Sequence, residues 1–392
     1  MDNLHVLVIP SGYPSAANPV GGIFYQDQAR AMVTAGARVG VTYPDLRSLR
    51  TFKPSALREN HLQVDITQRD RFVTITWKGW NIPPGHPLLR QLFVQQASRL
   101  ANIYVTRYGK PDLLHAHGAM WAGIAARIVA ARLEIPYVIT EHSSAIGRGL
   151  LPPKRVSDVQ ACYADAARIL TVSQTLGQDM GPYLKGRSYT VVPNVVDTEF
   201  FTPPMEPRQS QSWTLLAIAN LVPVKGLSTL VRAFAKYLHG PNITLRIGGD
   251  GPDRRSLESL AERLGVADRV QFLGRLTRER VRAEMWKANA FVMASRYETF
   301  GVAAIEALAT GLPVVATRCG GAPQMILAEA GVLADPDDID SLGGAMVQLL
   351  DSRQRFEQVA SEVSADIPSR FGPTAVADAL LGIYGVLAME AT

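Results

Sequence analysis

The sequence predicts an α/β protein built from two doubly wound, Rossmann-like domains, and three observations carry that expectation. At 392 residues the chain exceeds what one ordinary hydrophobic core organises, so two domains of roughly 150–200 residues follow. Short β-branched runs alternate with amphipathic helical stretches in both halves, the pattern of parallel sheets wound by crossover helices. A loop rich in proline and charge, 203–211, interrupts the alternation, and the pattern restarts after it.

In the first half, strands are expected at 4–9, 38–43, 73–76, 113–115, 137–140, 169–172 and 189–192. Helices at 22–35, 88–108, 121–133, 154–166 and 174–183 fall between most of them. Beyond the loop, strands are expected at 214–219, 243–248, 270–273, 290–293 and 313–316, again with helices between. The helical run 302–310 stops at Gly311-Leu-Pro313, a C-terminal signal. The domains are therefore set at 1–202 and 203–373, with a final helical segment at 374–392. No short repeat and no low-complexity segment occurs.

Composition narrows the class. Apolar residues make up 47% of the chain, which supports globular burial. Cys162 and Cys319 lack paired-ligand spacing, which argues against a disulfide framework or a zinc site and fits a reducing, cytoplasmic home. The start, Met1-Asp-Asn-Leu-His-Val-Leu-Val-Ile-Pro10, lacks a basic leader region, and no run of 18 apolar residues suggests a spanning helix. Charge is uneven. Residues 1–200 hold 21 Lys/Arg against 14 Asp/Glu, net +7, whereas residues 201–392 hold 19 against 21. Such asymmetry suits peripheral contact with an anionic membrane, or a solvated surface; no basic run or RNA-binding signature points to nucleic acid.

In an open parallel sheet, ligands bind outside the carboxyl ends of the strands. The first strand leads into a loop through Gly21 and Gly22 and then a helix. His117-Gly118 and Glu141-His142-Ser143 follow two later strands. In the second half the corresponding segments run from Asn220 to Gly226, including Lys225, and from Gly248-Gly249 to Pro252. The densest is Arg296-Tyr-Glu298-Thr-Phe300-Gly301-Val302-Ala-Ala-Ile-Glu306, read as loop and helix start after a strand. A helix beginning at Gly301 offers unpaired amides and a positive dipole end to an anion, and a diphosphate fits. Glu306, more than a turn into that helix, is placed for ribose hydroxyls, and Glu298 for a sugar.

Breaking a bond between a sugar and a nucleoside diphosphate puts negative charge on the departing phosphate. Preorganised donors aimed there are the largest catalytic term expected, and Lys225 with the Gly301 and Val302 amides are the candidates. His115, His117 and His142 cluster after two strands. A metal site is disfavoured because a third ligand is missing at sensible spacing and because His115 and His117 are read as pointing to opposite faces. His115 is read as packed and His142 as a sugar contact. Asp335-Pro-Asp337-Asp338 reads as a turn and helix cap, and the glycines of 248–251 lack the G-x-G-x-x-G spacing of a nicotinamide site.

These segments, in this order, with Pro19 to Gln28, Thr171-Val-Ser173, Val192-Pro-Asn194-Val-Val-Asp197 and Phe272-Leu-Gly-Arg275, resemble the retaining glycosyltransferases of family four, group 1 type. The resemblance covers nearly the whole chain. It implies the GT-B fold, two Rossmann-like domains facing across a cleft, with the last helix returning to the N-terminal domain. It further implies a UDP- or GDP-linked sugar donor held mostly by the C-terminal domain, a hydroxyl acceptor held mostly by the N-terminal domain, and no metal or other cofactor. By position, the donor contacts are Gly21, Gly22, Asn220, Lys225, Gly249, Arg275, Glu298, Phe300, Gly301, Val302 and Glu306, with His142, Glu298 and Lys225 at the chemistry. His117, Glu141 and Ser143 face the acceptor. Many members carry arginine where this chain has Asn220; a subset with asparagine is linked to polysaccharide assembly, which tilts the acceptor toward a glycan or lipid-linked saccharide. Two rivals share the architecture, a non-hydrolysing nucleotide-sugar epimerase and a non-catalytic two-domain sugar-binding protein.

Overall fold

The computed structural model describes residues 4–15, 21–48, 62–69, 71–81, 87–206 and 212–390. The end of the expected linker, 207–211, and part of the first glycine loop, 16–20, lie outside the described residues. The chain divides into two compact units, Met1–Val195 with Pro373–Thr392, and Val196–Gly372.

The first unit carries eight strands: β1 His5–Pro10, β2 Arg38–Ser48, β3 Val64–Arg69, β4 Phe72–Asn81, β5 Leu113–His117, β6 Tyr137–Glu141, β7 Arg168–Thr171 and β8 Thr190–Val191. Their order is β3-β4-β2-β1-β5-β6-β7-β8, parallel throughout except that β3 runs antiparallel to β4. Every residue of β1 is buried, because helices cover both faces of a parallel sheet. β3 was not expected: its residues are only half-buried or exposed, and six residues at a sheet edge leave a weak apolar signal.

The second unit carries β9 Trp213–Ile218, β10 Ile243–Gly248, β11 Val270–Gly274, β12 Ala290–Met293, β13 Val314–Thr317 and β14 Gly331–Ala334, in the order β11-β10-β9-β12-β13-β14, all parallel. β14, the other unexpected strand, is a four-residue edge. The helix Leu227–Tyr237 buries Leu227, Leu230, Val231 and Phe234 in this unit's core, the i, i+3, i+4, i+7 stripe of an amphipathic helix. Asp338 caps the helix Ile339–Asp351, its Oδ1 accepting from the amides of Asp340 and Ser341 at 2.8 and 2.9 Å.

The boundary falls at 195/196 instead of 202/203. The reason is local packing within the second unit. Val196 N donates to Phe371 O at 2.8 Å, Phe201 is buried, and Arg282 stacks on Phe200 while Trp286 Nε1 donates to Thr202 O. The final helix, Pro373–Glu390, belongs to the first unit, where Val376, Ala377, Leu380, Tyr384 and Leu387 join the core beside Val6, Val8 and Met32. The helical stretch Arg353–Glu390 is long and apolar enough by composition to cross a membrane, with mean hydropathy 1.4 over 18 residues. Its apolar stripe from Val376 to Leu387 is spent on that core.

Two other expectations shift. The helix expected at 121–133 begins as a π-helical turn, Ala119–Gly123, before the α-helix Ile124–Leu133. The one expected at 174–183 is split into Gln174–Asp179 and Gly181–Leu184.

Candidate functional site

Each sheet has a topological switch point. In the second, β9 is followed by β10 on one side while β12 lies on the other, so the loops after β9 and β12 diverge and leave a crevice. The β9 loop makes a 3₁₀ turn, Pro223–Lys225, ending at Gly226 with φ 61°. A Cβ at Gly226 would lie 1.9 Å from Ala294 O, so only glycine lets this turn reach the end of β12. Arg296 N donates to Val224 O at 2.8 Å, closing the contact. Lys225 Nζ therefore meets Glu298 Oε2 at 2.5 Å, and Ser295 Oγ reaches the same oxygen at 3.4 Å. Both charged side chains stay partly open, at 23% and 17% exposure. Glu298 is fixed from the other side by Gly320, whose absent Cβ would sit 1.4 Å from Glu298 O.

Gly301, φ 98°, caps the helix Val302–Ala309 without a capping side chain. On that helix Val302, Ala303 and Glu306 are the half-open positions, while Ala304, Ile305, Ala307 and Leu308 are buried. Glu306 thus shares a face with the amide end, as residues four apart must. Gly249 packs on Ala219 in the loop after β10; Asn220 and Arg275 are exposed at the ends of β9 and β11. Phe300 departs from the expected donor contact: its ring is buried and packs edge-on against Phe371, 5.7 Å between centroids, so it anchors the loop.

The first sheet's switch point lies between β1 and β5. Gly22, φ 71°, starts the helix Ile23–Thr34, and a Cβ there would come within 2.9 Å of Gly12, so the two ends of the β1 loop are in contact. His117 ends β5, in register with Pro10 of β1 and Thr140 of β6. Its Nδ1 lies 3.0 Å from His142 Nε2. Tyr25 packs 4.6 Å from the His117 ring and Phe24 5.2 Å from His142. His115 hydrogen-bonds Thr140 Oγ1 and Tyr384 OH, each at 2.7 Å, and is the packed residue of the three.

The histidine rings correct the expectation of opposite faces. His115 and His117 lie 4.1 Å apart, centroid to centroid, because residues two apart on a strand share a face. Burial pushes His115 and His142 down to about 3, and His117 well below 6.5; for His142, proximity to His115 adds to the effect and Asn194 opposes it. All three rings are neutral at pH 7, so the His117–His142 bond joins one N–H to one lone pair. Among the described residues, His117 Nε2 has no hydrogen-bond partner, and no group of three His, Cys, Asp or Glu is arranged to hold a metal ion.

Glu141 also corrects an expectation. It is completely buried, and its two oxygens each accept two protein hydrogen bonds, so it does not face an acceptor. Ser143 is half-buried at the start of the short helix Ser144–Gly147. Sequence reasoning missed Ser295, Gly320, Phe24 and Tyr25. The Gly320-Gly321 doublet after a strand and the aromatic pair after Gly21-Gly22 were the available signals.

Two α/β units, each with glycine-bearing loops at the switch point of a mostly parallel sheet, define the GT-B class of glycosyltransferases. Among solved structures the chain resembles an Anabaena protein crystallised with UDP-glucose, TM-score 0.71 at 20% identity, covering 97% of this chain and all of that one. Residues 22–200 match Glycosyltransferase Family 4 and residues 201–363 match Glycosyl transferases group 1. The chain belongs to this family. It is 31% identical over 242 residues to the phosphatidylinositol N-acetylglucosaminyltransferase of Arabidopsis thaliana, over 60% of this chain and 54% of that protein. It is 24% identical to a Bacillus subtilis glycosyltransferase named for teichuronic acid biosynthesis, over 94% of this chain and 95% of that one.

Proposed function

We propose that this glycosyltransferase is retaining and metal-independent, and moves a sugar from a UDP- or GDP-linked donor to a hydroxyl of a glycan or lipid-linked saccharide. The observation that carries the reading is the Lys225–Glu298 pair at the switch point of the second sheet, in the loop that leads into the open amide end of Val302–Ala309. The UDP-glucose held by the Anabaena neighbour supports the donor class.

In this reading the diphosphate takes the Gly301 and Val302 amides and Lys225, whose charge strengthens its hold as the sugar bond breaks. Glu306 accepts from the ribose hydroxyls and Glu298 from the sugar. A neutral His142 contacts the transferred sugar, and an oxygen of the leaving phosphate takes the acceptor proton on the same face that the sugar leaves from. No protein nucleophile is required.

A thermal-shift panel of nucleotide sugars selects the donor, because a ligand bound only by the folded protein raises its stability. Proton NMR of the transfer product then reads the anomeric configuration. An inverted product overturns retention, and a donor altered without any acceptor identifies an epimerase.

A further inference from the structure

We propose that Glu141 is the positioning residue for the His117–His142 pair, gripping the loops that carry both histidines by their backbones without touching substrate. The proposal rests on the reading that His142 meets the transferred sugar.

Glu141 is the last residue of β6 and has 0% exposure. Its Oε1 accepts from the amides of His142 at 2.9 Å and Ser143 at 2.8 Å. Its Oε2 accepts from the amide of Ala119 at 2.9 Å and from Tyr163 OH at 2.8 Å. A carboxylate has about four acceptor positions, and here all four are filled. The donors come from three segments: the loop after β6, the turn after β5, and the helix Pro153–Asp165. Gly118 N donates to Thr140 O at 2.8 Å, a further tie between the β5 and β6 ends. With both loops held, the rings of His117 and His142 meet at 3.0 Å, two residues before Ala119 and one after Glu141.

The carboxylate is what this junction needs. Four donors converge on one side chain, and glutamine supplies only one oxygen while its amide is itself a donor. In Glu141→Gln, N–H faces N–H either at Ala119 or at the His142 and Ser143 amides. A buried donor without an acceptor is costly enough that one loop moves to find water. The histidine pair then loses its register, while the Lys225 and Gly301 groups, in the other unit, are untouched.

The experiment compares wild type, Glu141→Gln, Tyr163→Phe and a control, Tyr137→Phe, which removes a buried hydrogen bond to Cys162 O in the same unit without touching either loop. Donor affinity, kcat and melting temperature are measured, together with histidine ring NMR of the donor-free protein. Expected are a kcat at least tenfold lower in Glu141→Gln with donor affinity within threefold, a smaller loss in Tyr163→Phe, and near-normal kcat in Tyr137→Phe despite its lower melting temperature. The ring signature of the His117–His142 bond should vanish in Glu141→Gln. Wild-type kcat in Glu141→Gln, or in Tyr163→Phe should the first variant fail to fold, overturns the proposal. So does a control that loses as much kcat per degree of melting temperature. If wild type turns over no donor, the proposed function fails, and the NMR signature alone decides for or against Glu141.

Discussion

Replacing Lys225 with alanine removes two things at once, and their sum sets the expected effect. The ammonium is 2.5 Å from Glu298 Oε2, with the pair less than a quarter exposed. Loss of one oxyanion donor costs ~10²–10³ in kcat, or about 2.7–4 kcal/mol. The variant also leaves the Glu298 carboxylate uncompensated near the incoming diphosphate; two unit charges about 4 Å apart interact by ~4 kcal/mol at an effective dielectric of about 20, before screening by water. Lys225→Ala should therefore lower kcat by roughly 100-fold or more, with weaker donor binding. Glu298→Gln in the same background should recover part of the affinity, with a coupling of ~0.5–3 kcal/mol in the double-mutant cycle. Because Asn220 contributes no positive charge, Asn220→Arg should restore part of the rate. Steady-state kinetics on folded variants read all of this. A Lys225→Ala enzyme with kcat/KM within about threefold of wild type, under ~0.7 kcal/mol, would refute the phosphate assignment.

The buried histidines make the first unit acid-sensitive. His115 and His142 are held at about 3 against 6.5 unfolded, so stability is complete above 6.5 and is lost as pH falls toward 3. Each costs about 2 kcal/mol between pH 7 and pH 5. Urea midpoints across that range test it, and a flat profile would refute it. Gly320→Ala forces a Cβ onto Glu298 O at φ 54°, and should cost ~1–3 kcal/mol for overpacking plus ~1–2 for the left-handed backbone, with reduced donor affinity. An unchanged melting temperature and affinity would remove Gly320 from the argument. Chelator-treated enzyme should keep its turnover, since Lys225 and helix amides supply the positive charge; loss restored by magnesium or manganese counts against this. We also propose that the protein is cytoplasmic, its first half, net +7, resting on an anionic membrane face, each well-placed cation worth ~1 kcal/mol. Flotation with anionic vesicles should exceed that with neutral ones and fall with salt; equal recovery would sink the idea.

The sheet interiors were legible because a parallel strand covered on both faces is a solid apolar run, as Val6 to Ile9 and Phe291 to Met293 are. β3 and β14 were not, since short edge strands bury too little to leave a pattern. The donor loops could be read from residue chemistry, glycines and glutamates at helix starts. What could not be read were contacts set by register across strands: His117 against His142, Glu141 closed on by four donors, and Phe300 turned toward Phe371. The opposite-face reading of His115 and His117 failed on the two-residue period itself, which places both on one face.

The first unit owns residues from both sides of the second in the chain, with Val376, Leu380 and Tyr384 filling its core. On a ribosome adding about 5–20 residues per second, the stretch from 196 to 390 takes roughly 10–40 s to follow Val195. Throughout that interval the sheet that carries His117 and His142 has a groove where its last helix belongs, while the second unit, contiguous in sequence, can finish folding. The nascent chain is thus most exposed to chaperones and proteases in the half that was made first, and a frameshift near residue 372 would leave the second unit's sequence intact and the first unit's core open.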